Sequence, residues 1–307
     1  MKYSVVIPSY NSAATIVPCL QTVTQQDFEE PHEIIVVDSS MDATPDLIRT
    51  HFPQVTLMHL PARTEPGTAR NIGIQRAQGE LLCFIDSDCL ARPDWLRRMA
   101  EAHQSDYAAV GGSIANGNPA SWIGWAGYFA EFREFFPYRP RQCMPNIPTC
   151  NISYKRRVFT QYGNFTNLMP DWIAFKHPQQ EDLVFNSKLG AQGEKILFDP
   201  AIQVAHINMP TVRRFLSHQY RLGRNTSYLL RQFPLDGSWI ARSRCLTVLA
   251  APLLPCVKFA NTFRVAALSK EYRRRFWLTA PLLLLGLLCW DVGFVRGAFL
   301  PEKTPQP

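Results

Sequence analysis

The sequence predicts an α/β fold in which an open, mostly parallel sheet is flanked by helices and is followed by a helical C-terminal region. Short β-branched runs alternate with helix-like segments over roughly the first ninety residues. Polar residues follow three of these runs, and a long apolar stretch lies near the end of the chain. Strands that alternate with helices form parallel sheets, and such sheets bind ligands beyond the carboxyl ends of their strands.

Four strands and three helices are predicted in this first part of the chain. The strands are YSVVIPSYN (3–11), HEIIVVD (32–38), VTLMHL (55–60) and ELLCFIDSD (80–88). The helices between them are predicted over residues 12–26, 45–51 and 67–80. Polar strand ends at 8–11, 38–40 and 86–88 indicate where a ligand site lies.

Composition and charge narrow the class of protein. The 307 residues are 46% hydrophobic and 19% charged, which argues against long disordered segments. The formal net charge is +7, and basic residues concentrate in 213–224 and 264–275. That asymmetry suits a phosphate-rich ligand or an anionic membrane face. No nucleic-acid-binding signature accompanies it, so we expect no nucleic acid partner.

The cysteines and the N-terminus indicate a protein facing the cytosol. The eight cysteines include no C-x-x-C pair, and Cys83 lies within an apolar strand, so they are expected to be reduced. The chain passes from Met1-Lys2 directly into a strand that Pro8 and Asn11 interrupt. We therefore expect no secretory signal.

Two carboxylates, Asp86 and Asp88, follow the buried run at 80–85. Like charges a few Å apart repel and lose hydration when buried, so such a pair needs water or a cation. If Ser87 continues the alternation of the strand, both carboxylates project from one face and converge on one hard divalent ion. The alternative is a solvated loop after a strand.

The chain resembles family 2 glycosyltransferases of the GT-A (Rossmann-like) fold over residues 3 to about 210. Five segments occur in the order found in that family: VVIPSYN, IIVVDSSMDAT, GTARNIGIQRAQGELLCFIDSDC, NISYKRRVF and QEDLVFNSKLGAQGEKILFDPAIQVAH. The resemblance implies a metal-dependent enzyme, inverting by the expectation for this family, that uses a nucleotide-diphosphate sugar. It also implies that the NISYKRRVF stretch lines the donor sugar.

The resemblance assigns a donor-nucleotide site. Tyr10 would stack on the base, Asp38 would accept a hydrogen bond from an imide N–H, and Arg70 with Asn71 would lie beneath the phosphates. The full set of implied donor-binding residues is Pro8, Tyr10, Asp38, Arg70, Asn71, Asp86 and Ser87. The alternatives are a turn aromatic for Tyr10, a helix cap for Asp38 and a solvated helix face for Arg70.

The resemblance also implies a metal site and a general base. Asp88 would ligate Mg²⁺ or Mn²⁺, Asp86 would contact the ribose or the metal through water, and His206 would be a third ligand. Asp182 of the Glu181-Asp182 pair would be the base, kept ionised by the helix dipole. A structural histidine and acidic capping of a helix are the alternatives for His206 and for the pair.

The C-terminal third is predicted to associate with a membrane. We expect a catalytic domain over 1–210, an amphipathic basic helix region over 211–240, and membrane-associated helices with a short polar tail over 241–307. Arg221 and Arg224 in QYRLGR are candidates for phosphate or lipid contact. The apolar stretch at 245–260 is expected to be interfacial or re-entrant, and the one at 276–299 to span the bilayer or also lie at the interface. The aromatic segment 121–150 is predicted to contact acceptor, membrane or core.

Together these features predict a glycosyltransferase at the cytoplasmic (inner) membrane, with its catalytic domain facing the cytosol. It would move a sugar to a membrane-associated glycan or lipid-linked acceptor, and membrane lipids would be a further partner. A sugar-phosphate nucleotidyltransferase is a rival, but IPSYNSA lacks that class's G-x-G-T-R-like loop. A degenerate membrane scaffold is the second rival, and the joint presence of Asp86, Asp88, Asp182 and His206 argues against it.

Overall fold

The computed structural model of the protein describes residues 2–165 and 180–300. The chain forms two compact units. The first contains residues up to 117 and 135–207, and the second contains 118–134 together with the chain from 208 onward. The second unit therefore begins near the sequence-predicted position 210 and also takes in a segment from the middle of the chain. The predicted polar tail lies outside the described residues.

The first unit is built on one mixed sheet, which has nine strands in the part of the chain that the structure describes. The strands are β1 Tyr3–Ser9, β2 His32–Asp38, β3 Thr56–His59, β4 Leu81–Ile85, β5 Cys89–Ala91, β6 Ala109–Asn116, β7 Gln142–Cys143, β8 Asn151–Lys155 and β9 Ile196–His206. Their order across the sheet is β3-β2-β1-β4-β8-β6-β9-β5, with β7 pairing with β9 outside this path.

The first four strands form the parallel part of the sheet, as the alternation of strands and helices predicts. Strand β1 pairs in parallel with β2 and β4, and β2 pairs in parallel with β3. Ser9 lies opposite Asp38, and Asp38 lies opposite His59. Because directly opposite residues in a sheet share a face, these three side chains lie side by side at the carboxyl edge.

The other strands make the sheet mixed. Strand β8 is antiparallel to β4 and β6, while β6 is parallel to β9. The short strand β5 is antiparallel to β9 and places Cys89 opposite His206. This pairing brings the end of β9 beside Asp88, which lies far earlier in the chain.

The helices of the first unit cover the sheet. They are α1 Ile16–Thr24, α2 Thr44–His51, α3 Pro66–Arg76, α4 Trp95–Ala102, α6 Arg156–Tyr162 and α7 Glu181–Ala191. Helix α3 lies tight against β1, since a Cβ on Gly73 would be 2.3 Å from Val6 Cγ1. This close approach positions the N-terminal half of α3, which carries Arg70, at the strand ends.

The DxD segment, Asp86-Ser87-Asp88, does not have the strand conformation that would place both carboxylates on one face. Strand β4 ends at Ile85, and Asp86 begins a turn in which the Cys89 N–H donates to the Asp86 carbonyl at 3.0 Å. Ser87 therefore does not extend the strand, and the two carboxylates need not share a strand face. The turn directs Asp86 and Asp88 to different partners.

The second unit is helical. Its helices are α5 Trp122–Glu131, α8 Val212–Gln232, α9 Ser238–Ala241, α10 Arg244–Ala250, α11 Leu254–Ala266 and α12 Lys270–Ala298. Residues 124–130 of the aromatic helix α5 are all buried, so most of these aromatics form core. Trp125 and Phe129 pack against Tyr272, and Phe129 also contacts Phe276 of α12.

Among the described residues, one helix is long and apolar enough to cross a membrane, namely α12. Helices α10 and α11 pass the same criteria only as a pair, and they are bent by 56° at the break between them. The proline-containing first apolar stretch is therefore a bent helix pair, and the second is a continuous helix.

Candidate functional site

A cavity of about 180 Å³ opens at the carboxyl edge of the parallel strands in the first unit. Its lining combines residues of β1, α3 and the turn after β4: Pro8, Ser9, Tyr10, Thr64, Pro66, Ala69, Arg70, Asp86, Ser87 and Asp88. All but four of these residues are among the predicted donor-binding or metal-binding positions. The cavity lies where parallel α/β sheets bind ligands.

Arg70 connects the DxD turn to the start of α7. Its guanidinium donates to Asp86 Oδ1 at 2.6 Å and also pairs with Glu181. Arg70 is only 3% exposed and Glu181 is 8% exposed. A buried guanidinium between the buried carboxylate of Glu181 and the partly exposed carboxylate of Asp86 forms a strong charge-assisted network. The structure thus brings together Asp86, Arg70 and Glu181, which lie far apart in the sequence.

Burial controls the protonation of this network. Burial alone disfavours the charged guanidinium, yet the carboxylates of Asp86 and Glu181 outweigh it and raise the pKa of Arg70. Burial raises the pKa of Glu181 to about 7, with Arg70 opposing the rise and Asp182 adding to it. Glu181 therefore changes protonation near neutral pH, whereas Arg70 remains a cation.

Asp88 points away from Arg70 and toward His206. Asp88 Oδ1 lies 3.6 Å from His206 Nε2, and the Ile207 N–H donates to the Asp88 carbonyl at 2.8 Å. Among the described residues, Asp88, Cys89 and His206 form a group whose potential ligand atoms all lie within 4.8 Å of one another. Burial raises the pKa of Asp88, while His206 opposes this rise. A carboxylate oxygen and an imidazole nitrogen at this spacing suit a divalent cation.

Asp182 is held by donors at the first turn of α7. Asp182 Oδ2 accepts from the Thr149 N–H at 3.0 Å, and Oδ1 accepts from the Leu183 N–H at 2.8 Å. Burial raises the pKa of Asp182, whereas these N–H groups and Arg70 lower it. Burial therefore opposes the helix terminus, which favours the ionised form, at both carboxyls of the acidic pair. A base with a raised pKa remains suited to proton transfer near neutral pH.

The predicted base-binding residues lie at the far end of the same edge. Tyr10 is 38% exposed, and the Arg63 guanidinium lies over its ring at 4.7 Å from the centroid. Asp38 is fully buried, and its carboxylate accepts from the Ser40 N–H, the Ser40 hydroxyl and His59 Nδ1. Tyr10 is accessible to a ligand, whereas Asp38 is covered by its own hydrogen bonds.

The remaining implied donor residues have mostly structural contacts. Ser87 Oγ lies 2.8 Å from Ser12 Oγ, and both Ser87 and Pro8 line the cavity. Asn71 is buried, and its Oδ1 accepts from the Phe165 N–H at 3.2 Å. Asn151 of the NISYKRRVF stretch is also fully buried and accepts from Trp95 Nε1. These amides and hydroxyls hold the loops around the cavity in place.

The predicted contact residues of the second unit do not form one cluster. Arg221 lines a cavity of about 360 Å³ with Thr211, Arg213, Arg214 and Ser217. Arg224 donates to Asn225 Oδ1 at 3.4 Å instead. The cationic cavity therefore consists of three arginines near the start of α8, of which the sequence motif includes one.

Besides the four cavity-lining residues outside the predicted positions and Cys89 of the potential ligand group, three residues at the site were not singled out from the sequence: His59, Arg63 and Thr149. His59 pairs with Asp38 because their strands are parallel neighbours in register, a relation that only the sheet order shows. Thr149 reaches Asp182 from a loop that lies well before α7 in the chain. Arg63 precedes the α3 motif, but nothing in its local pattern indicates stacking on Tyr10.

Comparison with known sequences points to one family. The model of glycosyl transferase family 2 matches residues 4–163. The succinoglycan biosynthesis protein ExoO of Rhizobium meliloti is 41% identical over 248 residues, which cover 76% of this chain and 69% of ExoO. The glycosyltransferase AglE of Haloferax volcanii is 33% identical over 173 residues, covering 53% of this chain and 56% of AglE.

Solved structures show the same fold at low identity. A Pyrobaculum calidifontis mannosyltransferase, solved in complex with GDP-Man and Mn²⁺, has a TM-score of 0.56 and 19% identity over 92% of this chain and 85% of that chain. Residues 1–349 of S. aureus TarS, in complex with UDP-GlcNAc, have a TM-score of 0.52 and 17% identity over 96% and 90% of the two chains. The predicted GT-A fold is confirmed. Because the family model spans just over half of the sequence and ExoO is 41% identical over most of it, the chain belongs to glycosyl transferase family 2.

Proposed function

We propose that this glycosyltransferase is metal-dependent and inverting, and that it transfers a sugar from a nucleoside diphosphate to a hydroxyl of a membrane-associated glycan or lipid-linked acceptor. The observation that carries the proposal is the convergence at one sheet edge of a metal-ligand pair, a buried arginine bridge and a carboxyl base. These groups belong to three separate segments of the sequence, namely 70–88, 181–182 and 206.

The residues at the DxD turn fit a bound divalent cation. Asp88 and His206 would hold Mn²⁺ or Mg²⁺, and the nitrogen ligand favours Mn²⁺ over Mg²⁺, which prefers oxygen. The bound ion would neutralise charge on the leaving diphosphate. Asp86 remains bound to Arg70 and so fixes the turn that carries Asp88. Its main role is therefore to position Asp88, and metal ligation by Asp86 itself is secondary.

The proton of the acceptor hydroxyl passes to the acidic pair. Asp182 takes this proton as the acceptor oxygen attacks the anomeric carbon, and the bond from that carbon to the diphosphate oxygen breaks. The nucleoside diphosphate leaves on the opposite face, so the anomeric configuration inverts. Asp182 is the better base because Glu181 is bound to Arg70, whereas the hydrogen bonds to Asp182 from the described residues come from N–H and hydroxyl donors.

The donor base is recognised by a tyrosine and by a histidine that a buried aspartate orients. Tyr10 offers an exposed ring for stacking, with Arg63 over it. Asp38 accepts from His59 Nδ1 at 2.8 Å, which leaves His59 Nε2 as an acceptor for an imide N–H. Asp38 thus acts on the base through His59 rather than by direct contact.

The acceptor and the location follow from the second unit and from the relatives. ExoO is named for succinoglycan biosynthesis, which supports a glycan acceptor. The apolar helix α12 and its arginines support attachment to the cytosolic face of the inner membrane. Arg213, Arg214 and Arg221 form a cationic cavity for the phosphate of a lipid-linked acceptor or of a membrane lipid.

Metal dependence is tested by replacing Asp88. Asp88→Ala should abolish sugar transfer and Mn²⁺-dependent donor binding while the protein stays folded, because removing one of two nearby carboxylates relieves repulsion in the metal-free protein. Calorimetric titration of UDP-, GDP-, dTDP- and CDP-sugars with and without Mn²⁺ measures the effect. Asp106→Ala, at an exposed aspartate that does not line the cavity, is the matched control and should bind as the unaltered protein does. Unchanged Mn²⁺-dependent binding in Asp88→Ala would refute the metal site.

A further inference from the structure

We infer that α12 does not cross the bilayer but lies in the plane of an anionic membrane surface, with one face in lipid and the other covered by protein. The inference deepens the proposed membrane attachment by specifying its geometry. It rests on the packing within the second unit, which leaves α12 a single free face.

The covered face of α12 is occupied along the length of the helix. Near its start, Phe276 packs against Phe129 of α5 and Phe263 of α11. Further along, two glycines lie against α8. A Cβ on Gly293 would be 2.0 Å from the Tyr220 carbonyl oxygen, and one on Gly297 would be 2.4 Å from that of Arg224. The two backbones therefore touch, and α8 cannot separate from α12 without losing this contact.

Helix α8 is too basic to enter hydrocarbon. Arg213 and Arg214 are exposed, and Arg221 and Arg224 lie within one turn of the points where α8 touches α12. If α12 spanned the bilayer, α8 would carry Arg213 and Arg214 into the hydrocarbon region, because the adjacent Phe215 lies against Gly286 near the middle of α12. A charged side chain at that depth is costly and is normally found facing a water-filled cavity or an opposite charge. An in-plane helix keeps these arginines in water.

The free face of α12 is apolar over most of its length and lies between two charged ends, with the half-buried Asp291 within this stretch. Its exposed large side chains are Trp277, Leu278, Leu284, Leu285, Leu288 and Val292. Exposed Arg273 and Arg274 precede this stripe, and exposed Arg296 follows it. Apolar residues flanked by arginines are typical of helices in the membrane interface.

Neighbouring helices extend the same surface. The exposed residues are Leu246 and Leu249 of α10, Leu253 in the break between the two helices, and Val257 of α11. The occupant of this surface is an anionic bilayer rather than a second protein, because the apolar stripe of α12 ends in arginines that pair with lipid phosphates. A flat lipid surface also accommodates exposed apolar side chains from several helices at once.

Chemical labelling of the full chain tests the topology. Leu268→Cys marks the exposed turn between α11 and α12, and a tag after the last residue marks the end of the chain. Cys143, exposed in the first unit, is the internal reference, while Cys245, Cys256 and Cys289 are changed to Ser. The reagent is a membrane-impermeant maleimide applied to right-side-out and inverted membrane vesicles, and the tag is probed with a protease.

The in-plane arrangement predicts that the label at position 268, the tag and Cys143 are all reached from the same side. A tag on the opposite side from Cys143 would mean one span. A label at position 268 on the opposite side, with the tag on the same side, would mean two spans. Either pattern overturns the inference while leaving membrane attachment intact.

Vesicle-binding measurements test whether an anionic bilayer contacts the free face of α12. Leu285→Gln with Leu288→Gln should weaken sedimentation with phosphatidylglycerol-containing vesicles at least about tenfold, and Met41→Gln, the same kind of change at an exposed site of the first unit, should not. Full-strength binding by the double variant overturns the lipid-facing stripe. A chain that is dimeric without lipid and becomes monomeric in the double variant would assign the face to a second copy and also overturn it. Failure of the unaltered chain to bind vesicles would refute both the inference and the proposed attachment, while sugar transfer to a soluble acceptor would test the reaction separately.

Discussion

At the scale of single residues, substitutions in the acidic pair at the start of α7 distinguish an effect on the reaction rate from an effect on donor binding. Asp182→Asn keeps the size of the side chain but cannot take a proton, so the turnover rate should fall at least about 10²-fold. Donor affinity should barely change, because Tyr10, His59 and Asp88 lie at the sheet edge on other elements. Single-turnover kinetics together with calorimetry of donor binding give the two quantities.

Glu181→Gln is the control for this assignment. Glu181 pairs with Arg70, so its replacement should disturb the position of the DxD turn and weaken donor binding as well as turnover. If Asp182→Asn turns over normally and Glu181→Gln loses turnover while its donor binding is preserved, the base is Glu181. Full activity of both variants would show that neither residue takes the proton.

The buried Glu181 should also make stability depend on pH. Its pKa rises from 4.5 to about 7 on folding, mainly through burial. A carboxyl with a raised pKa in the folded state contributes stability below its unfolded pKa, and this contribution is lost as the pH rises through its folded pKa. Between pH 4.5 and 7 the free energy of unfolding of the native chain should therefore fall relative to Glu181→Gln, by at most about 3 kcal/mol.

Urea unfolding in a chelating buffer at several pH values measures this difference. The Glu181→Gln curve supplies the reference, since the titrating groups outside the network of Arg70, Asp86 and Asp182 behave alike in both chains. A constant offset between the two proteins across this range would show that Glu181 stays ionised in the fold.

At the scale of elements, the contact between α8 and α12 depends on glycine. A Cβ on Gly223 would lie 1.8 Å from the Trp290 carbonyl oxygen, which is part of the backbone and cannot swing away. Gly223→Ala should therefore force the helices apart and cost at least about 2–3 kcal/mol. Amide hydrogen exchange should rise in α8 and α12, while exchange in the sheet strands stays as it was.

Gly190→Ala is the matched change in α7. Nothing lies within 4 Å of a Cβ at this position, so the substitution should leave stability unchanged or raise it by up to about 1 kcal/mol. Equal exchange behaviour of the two variants would contradict the tight packing of α8 on α12.

The elements also show what the sequence can and cannot predict. Helix α8 begins one residue after the predicted start, because Thr211 caps it by accepting from the Arg214 N–H and this signal is local. Strand β5 is not predicted from the sequence, since its three residues form a strand only by pairing with β9. The Asp88–His206 approach follows from the same distant pairing. The resemblance to the family predicts that Asp88 and His206 lie close together. It does not predict the Asp38–His59 pair, which depends on the order of the strands.

At the scale of the whole molecule, the excess charge lies in the part of the chain that carries the apolar helices. Residues 238–300 contain nine Lys or Arg and two Asp or Glu, a net charge of +7, which equals the formal net charge of the entire chain. The rest of the protein is therefore neutral on balance. Because α8 is also basic, the positive charge is concentrated in the second unit, and such an uneven electrostatic field attracts an anionic surface in a preferred orientation.

This asymmetry predicts how lipid composition and salt control binding. Arg273→Gln with Arg274→Gln removes two exposed charges beside the apolar stripe, each worth about 1 kcal/mol near an anionic surface. Affinity for vesicles rich in phosphatidylglycerol should fall about 30-fold at low salt, since about 1.4 kcal/mol corresponds to tenfold. The loss should shrink near 1 M salt, where the Debye length is about 3 Å, and it should be absent on neutral vesicles.

Arg49→Gln with Arg76→Gln removes the same net charge from the first unit and serves as the control. If both double variants lose affinity equally, net charge alone governs binding; if only Arg273→Gln with Arg274→Gln does, the arginines at the start of α12 lie at the lipid headgroups.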